Sequence, residues 1–464
     1  MLKVLVKAPA LSMSGYGEQA RFLLESLKDR KDIDLYLIDI PWGKSNQIYD
    51  RSENFLWMKK LITKTAICHA QDKNMTYDMS LQVTIPNEWE RIAPVNIGYT
   101  AGIECDRVSP YWIQKGNEMS KIITISEHSK NVYKDTKYEV LNEDDQLIDL
   151  LHLKTPIEVV NYSTRNTSPS ENFSLDLQTN FNFLTVAQFG PRKNLPILVE
   201  SFIKEFHDNK DVGLVVKTHV INPSISDKVR SRRVIRNLTE KYPDRKCKIY
   251  LLHGEMTEQQ MCSLYRHPKI KAFTTTTHGE GFGLPIFEAA CNGLPVVAPN
   301  WSGHMDFLSY PDPKKKKEKL FREIPCYLDR VHESAVWETV IENGSMWAHV
   351  KESDVMLALR DLYKSHNRFR RKAKKLKEHV LRDFDEKVIF KKMNEAIFND
   401  STQEQETPDV HRIKEEAMMI ESPKQRAAFL KEAMDNISSQ ADKLELLKDS
   451  FSNKTAYVLS CGPS

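Results

Sequence analysis

Strand-like and helix-like stretches alternate along this chain, and the series starts twice. Leu2–Lys7 is a short apolar run rich in β-branched residues, Tyr16–Lys28 carries Phe22, Leu23 and Leu27 on one helical face, and Asp34–Ile40 is strand-like again. The pattern continues through strands at Val95–Thr100 and Lys121–Ile125 and a helix at Glu127–Tyr133. A polar, proline-containing break follows at 161–172, and then the series restarts. Strands are expected at Asn182–Gln188, Val212–Lys217, Cys247–Leu252, Lys271–Thr275 and Pro295–Ala298, with helices between them such as Leu195–Phe206. This alternation constrains the fold strongly, because parallel strands need crossover connections and those place helices on both faces of the sheet. The expectation is an α/β protein with two Rossmann-like parallel-sheet domains, residues 1–165 and 172–382, facing a central cleft.

Length agrees with that division, since 464 residues exceed what one hydrophobic core organises. Past Pro311 the character changes. PDPKKKKEK reads as a basic loop, and Val355–Arg382 is a strongly charged helical region. Residues 383–398 are expected to form a helix crossing back to the N-terminal domain, completing a helical C-terminal extension. Residues 401–452 comprise a linker and a charged helical segment, Ile413–Phe451. In 453–464 the apolar run Ala456–Ser460 leads into Cys-Gly-Pro-Ser. Two readings stand for it: the start of a further α/β domain of a longer, multidomain chain, or a terminal strand added to an existing sheet.

Several classes are disfavoured. No run of about 18 apolar residues occurs, so a membrane-spanning helix is not expected. The N-terminal apolar stretch is too short for a secretory signal. Seven cysteines are scattered singly with no CxxC pair, which suits a reducing, cytoplasmic compartment and provides no zinc framework. Lys+Arg 67 against Asp+Glu 64 leaves a net charge of +3, so no global field favours nucleic acid. The basic stretches Lys314–Lys317 and Arg368–Lys377 read as solvated faces first and as contacts to anionic lipid second. A possible peripheral membrane contact rests on them.

Glycine is scarce, 16 residues in all, yet Gly279, Gly281, Gly283, Gly293 and Gly303 crowd into one region and Gly15 and Gly17 pair near the start. Such clusters mark places where the backbone turns sharply or approaches a ligand. The densest is TTTTHGEGFGLPIFEAA, Thr274–Ala290: a strand end, a glycine turn, and Pro285 suited to the first turn of a helix. There the amides of Gly281, Phe282, Gly283 and Leu284 are placed to meet an anion such as a diphosphate. Glu280 lies in the loop and Glu288 in the following helix, and an acid beside a phosphate site is the usual partner of ribose hydroxyls. A second element, QFGPRKNLP, has Asn194 as the expected helix cap, which leaves Arg192 and Lys193 just outside a helix N-terminus. Cations there call for an anion between them. The third, Ser14–Gly17 (SGYG), reads equally as an ordinary turn and as a loop over a phosphate or sugar.

Together these residues resemble the GT-B glycosyltransferases, specifically the large retaining family with the E-x7-E motif (family 4, glycosyl transferases group 1). The resemblance covers Leu2 to Phe398. Glu280-GFGLPIF-Glu288 matches E-x7-E and runs into EAACNGLPVVAP; VAQFGPRKNLPILVESF matches the strand–PRKN–helix phosphate motif; NWSGHMDFL, Asn300–Leu308, matches the segment after the donor pocket. YTAGIECDRVSPYWIQKGNEMSKIITISEHSK resembles the acceptor-side segment more softly. The resemblance implies a hexosyltransferase-type enzyme that moves a sugar from a nucleotide-diphosphate donor to a carbohydrate-bearing acceptor hydroxyl, in a glycan, lipid or protein-linked form. It implies retention of configuration. By that likeness Glu280 lies beside the donor sugar, Glu288 holds the ribose, Lys193 neutralises the departing diphosphate, the amides of Gly281–Leu284 contact sugar and phosphate, and the Gly15–Gly17 loop closes over them. Many members have an arginine where this chain has Gln188, and Arg192 is the expected substitute.

No metal or other cofactor is expected, because Lys193, Arg192 and a helix N-terminus can stabilise the leaving charge themselves. The aspartate pairs Asp32–Asp34, Asp144–Asp145 and Asp383–Asp385 read as turns or helix caps. His278 is placed to reach sugar or phosphate or to serve the turn alone; His128 and His253 read as cap or turn residues. Ser302 and Gly303, with Asp306, follow a strand and are candidates for the phosphate pocket. Glu104 and Asp106 are acceptor-side candidates for orienting or deprotonating a hydroxyl. Trp42, Trp57, Trp89 and Trp112 read as core first and as sugar-stacking platforms second. The competing functions are a sugar-nucleotide epimerase or phosphorylase of the same fold, and a catalytically weakened sugar-nucleotide-binding module within a multidomain glycan-modifying protein.

Overall fold

The structure is a computed structural model and describes residues 1–43, 45–49, 52–142, 146–165, 167–312, 315–399 and 422. The expected Ile413–Phe451 helix, the Ala456–Ser460 strand and Asp144–Asp145 lie outside the described residues. Residues 1–397 form one compact unit. It contains two six-stranded parallel sheets. Across the first, the strands run Ile33–Asp39, Leu2–Ala8, Met79–Val83, Val95–Tyr99, Lys121–Thr124 and Ile157–Val159. Across the second they run Lys248–Leu252, Val212–Lys217, Phe181–Val186, Ile270–Thr274, Val296–Pro299 and Arg322–Ile324.

The strand order in each sheet reverses once. In the second sheet the reversal falls between Phe181–Val186 and Ile270–Thr274, which are neighbours although far apart in sequence. Crossovers on the two sides of such a point lie on opposite faces of the sheet, so the loops leaving the two strands splay and open a crevice at their carboxyl ends. Those loops carry QFGPRKN and THGEGFG. The core below them is dry: Phe183, Leu198, Val199, Phe202, Leu214, Leu359 and Leu362 are fully buried where the helices Leu195–Phe206 and Glu352–Lys364 pack on the sheet.

Three features depart from or add to the sequence expectations. Charged Val355–Arg382 is helical as expected, with a break at Ser365 between Glu352–Lys364 and His366–Asp383 that the sequence reading did not specify. PDPKKKKEK is not simply a loop, because Ser309–Asp312 and Lys315–Lys319 pair as antiparallel strands. A second antiparallel hairpin, Cys326–Arg330 with Met346–Val350, lies in a region given no strand from sequence. The helix Glu386–Phe398 packs against elements of the first sheet's half: Asn394 bonds Arg30 (3.1 Å) and the Ser26 carbonyl (2.9 Å), and Lys121 donates to the Ala396 carbonyl at 2.8 Å.

Candidate functional site

The glycine turn and the PRK turn meet through ion pairs. Lys193 Nζ lies 2.5 Å from Glu280 Oε1, and Arg192 reaches Glu280 Oε2 at 3.2 Å and the Gly279 carbonyl at 2.8 Å. Arg192 also lies 3.5 Å from Glu104, which belongs to the other half of the molecule. Four residues singled out from sequence thus form one chain of charge. Burial pushes the Glu280 carboxyl up, but Lys193 and Arg192 override it and hold the group down at about 2. Burial, then Arg192, lowers the Lys193 ammonium against the pull of Glu280. The Glu280 backbone is fixed from Ser302 and Gly303: its N–H donates to Ser302 Oγ (2.9 Å), and its carbonyl accepts from Gly303 N–H (2.9 Å).

Asn194 occupies the expected cap position but does not cap. It is left-handed (φ 48°, ψ 39°) and its side chain makes no cap hydrogen bond; Thr276 Oγ1 donates to its carbonyl at 2.8 Å. What places Arg192 and Lys193 is therefore the short Pro191–Lys193 turn and that left-handed residue. The helix Leu284–Cys291 begins after Gly283 (φ 90°), with Pro285 in its first turn, as anticipated. Phe282 turns its ring away from the crevice into a buried aromatic cluster with Phe287, Phe307 and Phe384, so its backbone alone remains for a ligand.

Glu288, one helix turn deeper, sits in the opposite environment. Burial raises it to about 7, against a hydrogen bond from Tyr265 OH (2.8 Å) and the nearby Arg165. Two acids of one motif are thereby pushed to opposite protonation preferences. Arg165, for which no sequence signal existed, joins Glu18 of the first half to Glu258 of the second (2.6 Å to the latter). It lines a cleft of about 2220 Å³ together with Gly15, Trp42, Gln188, Lys217 and Gly254.

The glycines divide by cause. A Cβ at Gly279 would collide with the Glu104 carbonyl, one at Gly281 with the Ala101 carbonyl, and one at Gly303 with the Gly281 carbonyl. Close approach between the two halves explains the first two, and close packing of two loops within the second half explains Gly303. Gly17 is required by the Ser12 carbonyl, whereas Gly15 has open space around it at the start of the Gly15–Leu27 helix, capped by Ser14.

Two candidates are occupied elsewhere. Asp106 Oδ1 accepts the Met346 N–H (2.7 Å), fastening the Cys326–Val350 excursion to the first half. His278 stacks on Trp347 (4.5 Å, 5°), with Nδ1 2.6 Å from the Ala348 carbonyl, and burial lowers it to about 4. It anchors the same excursion. His253 is likewise more than a turn residue, since it pairs with buried Asp227 at 3.1 Å. Trp89 and Trp112 are core, while Trp42 packs its ring at a tilt against Tyr16 (4.4 Å, 43°) beside the cleft. Of the aspartate pairs, Asp34 holds Lys64 and Tyr36, and Asp385 accepts the Lys387 N–H.

No family model and no curated protein matches the sequence. Among solved structures the chain is similar to the sucrose-phosphate synthase of Thermosynechococcus elongatus (TM-score 0.55, 13% identity, 85% of this chain and 98% of that one). It is also similar to a glycosyltransferase from Rickettsia africae (0.53, 13%, 86% and 99%) and to Anabaena HepE (0.50, 11%, 85% and 99%). At such identities the likeness is one of fold, and it runs through both sheets and nearly the full length of each neighbour. With two parallel six-stranded sheets meeting at a crevice, this chain has the GT-B fold.

Proposed function

We propose that the protein is a retaining, metal-independent glycosyltransferase that moves a sugar from a nucleoside-diphosphate donor to an acceptor hydroxyl. The observation that carries this reading is the Lys193–Glu280–Arg192 constellation at the sheet's reversal point, in front of a helix N-terminus. Without donor, Glu280 supplies the counter-charge for Lys193; an incoming diphosphate takes up that ammonium and leaves the Glu280 carboxylate beside the sugar. The bond between the anomeric carbon and the phosphate oxygen breaks with its electron pair going to the diphosphate, which Lys193 and the Gly281–Leu284 amides stabilise. The acceptor oxygen attacks from the same face and its proton passes to the departing phosphate. Glu288, next to Tyr265, holds the ribose. Lys193 and the helix N-terminus at the leaving group do the work a metal would otherwise do. The HepE structure, determined with UDP and glucose, supports a nucleotide-sugar donor by likeness of fold. No described helix is long and apolar enough to cross a membrane.

The test is thermal stabilisation by UDP-, GDP-, ADP- and TDP-sugars, with and without EDTA. Stabilisation by one of them that EDTA leaves unchanged, followed by donor turnover, is the expected result. A protein that none of them stabilises is not such an enzyme.

A further inference from the structure

The wall of the large cleft carries many cations, and most already have a carboxylate. Arg21 pairs with Glu18, Lys28 with Glu53, Arg30 with Asp32, and Arg165 with Glu18 and Glu258. Lys387 and Lys391 are exposed on the helix Glu386–Phe398. Lys217 differs from both groups. It is half-buried, and among the described residues no carboxylate lies within ion-pair distance of it; its ammonium donates to the Gly254 carbonyl at 2.5 Å. The neighbouring Glu255 is held across the cleft by Asn46 (3.1 Å). Burial lowers the Lys217 ammonium, with Glu255 opposing. A desolvated cation without a counter-charge is costly unless an anion arrives.

Its position indicates which anion. Lys217 ends the strand Val212–Lys217, in register with Val186 of the next strand, and so stands at the carboxyl edge where the PRK loop also leaves the sheet. Gln188, two residues past that strand, lines the same cleft with a neutral amide that donates to the Val220 carbonyl (3.1 Å). Arg192 cannot easily serve this wall, since the Gly279 carbonyl, Glu280 and Glu104 already take its guanidinium. On the far side of Lys217, Gly254 has φ 112° and nothing packed where a Cβ would be, leaving open backbone beside the ammonium. The surrounding loop is tied down by hydrogen bonds. Asp227 accepts the Val220 and Ile221 N–H groups (2.9 and 2.8 Å) and pairs with His253, the residue before Gly254.

We propose that Lys217 is a phosphate-binding residue for the donor, supplying on this side of the cleft the charge that Gln188 lacks and Arg192 has committed elsewhere. The proposal rests on the donor-site reading above and narrows it: the diphosphate is held between Lys193 and Lys217.

The test is calorimetric titration of the full chain with UDP, GDP, ADP and TDP and with the matching nucleosides. Wild type is compared with Lys217→Gln, which keeps a donor for the Gly254 carbonyl, and with Lys217→Gln/Gln188→Arg. The expected result is a loss of about tenfold or more in nucleoside-diphosphate affinity for Lys217→Gln, the size of one charge-assisted phosphate contact. Nucleoside affinity should be unchanged, and the second substitution should restore much of the loss. A diphosphate bound equally by Lys217→Gln and wild type overturns the proposal. So does an equal loss for nucleoside and diphosphate, because Lys217 would then serve the base or the pocket's shape. A wild type that binds none of the four removes the donor-site reading as well, which separates the two failures.

Discussion

The two halves of this molecule face each other differently on the two sides of their junction. On one side they touch backbone to backbone. The Ala101–Glu104 segment lies against Gly279–Gly281, Asp306 accepts the Glu127 N–H (2.9 Å), and the Cys326–Val350 excursion is fastened by Asp106 and by Ser109 Oγ, which donates to the Thr339 carbonyl at 2.8 Å. Val331 and Trp347 of the excursion share a buried cluster with Trp89, Ile103 and Trp112 of the first half. On the other side the halves stand apart around 2220 Å³, well above the roughly 300–1,000 Å³ of ordinary ligand pockets. Side chains bridge that gap, Arg165 to Glu18 and Glu258 and Asn46 to Glu255. Backbone contact and apolar burial fix a geometry, whereas solvent-screened ion pairs can exchange partners at little cost. The closed side therefore holds Glu280, Arg192 and Glu104 in place, and on the proposed reading the open side is the nucleotide's entrance.

The largest test of this contrast is Lys193→Ala. Its ammonium is paired to Glu280 within the closed contact and, on the proposed reading, is taken up by the diphosphate. Removing one preorganised charge at a departing group costs on the order of 10²–10³ in rate. Donor hydrolysis and transfer by Lys193→Ala should fall by that factor. The unfolding temperature should fall too, because Glu280 loses its nearest counter-charge; the stability this carboxylate contributes is present above its ordinary 4.5 and is lost as pH falls toward about 2. An unchanged hydrolysis rate would remove Lys193 from the leaving group.

Asp106→Ala loosens the closed side alone. It strands the Met346 N–H in a partly buried place, a loss of about 1–3 kcal/mol in unfolding free energy. If the nucleotide enters from the other side, as proposed, nucleoside-diphosphate affinity should stay within about twofold of wild type. A comparable drop in nucleotide affinity would show that the two sides are not independent.

How far the sequence carried these conclusions can be judged from single residues. The alternation of strands and helices disclosed the α/β class, and the Glu280–Glu288 spacing behind a strand end located the crevice, because both are local patterns. The Met79–Val83 strand at the centre of the first sheet and the Cys326–Val350 excursion were not legible, the latter because its stability comes from Trp347 and Val331 packing on residues more than two hundred positions earlier. Lys217 was visible as a strand end, but its lack of a carboxylate partner is a property of three dimensions. Asp106 shows the same limit: its acidity was apparent in GIECDR, but the amide it satisfies lies 240 residues away.

Glu288→Gln probes, through protonation, the buried acid behind the Arg165 bridge of the open side. Its raised value means that the folded protein prefers the neutral acid, so ionisation is penalised progressively from about 4.5 to about 7 and fully above that. The groups that set this balance are Tyr265, Arg165, Glu18 and Glu258. Glutamine removes the penalty and still accepts from Tyr265. The variant should unfold a few degrees higher than wild type at pH 8 and close to wild type at pH 4.5. At pH 8 its donor affinity should drop several-fold, a stability gain matched by a functional loss. A variant with lower stability at pH 8 would mean that Glu288 is ionised favourably by Arg165 and that burial is not in control.

The smallest effect is expected at Gly15, and it separates the two explanations of glycine scarcity. Gly17, two positions on, is fixed by packing against the Ser12 carbonyl, as Gly279, Gly281 and Gly303 are by other carbonyls. Among the described residues nothing demands glycine at 15: its backbone is not left-handed, it begins a helix, and it lies exposed on the cleft. Gly15→Ala should leave the unfolding temperature unchanged or raise it slightly, by a few tenths of a kcal/mol, since alanine restricts the unfolded chain. If the reason for glycine is a donor passing close to the helix N-terminus, the new methyl group occupies its space. Donor affinity should then weaken several-fold in a protein as stable as wild type. Equal affinity would assign Gly15 to the turn alone and leave the donor to the second half's Lys193, Lys217 and glycine loop.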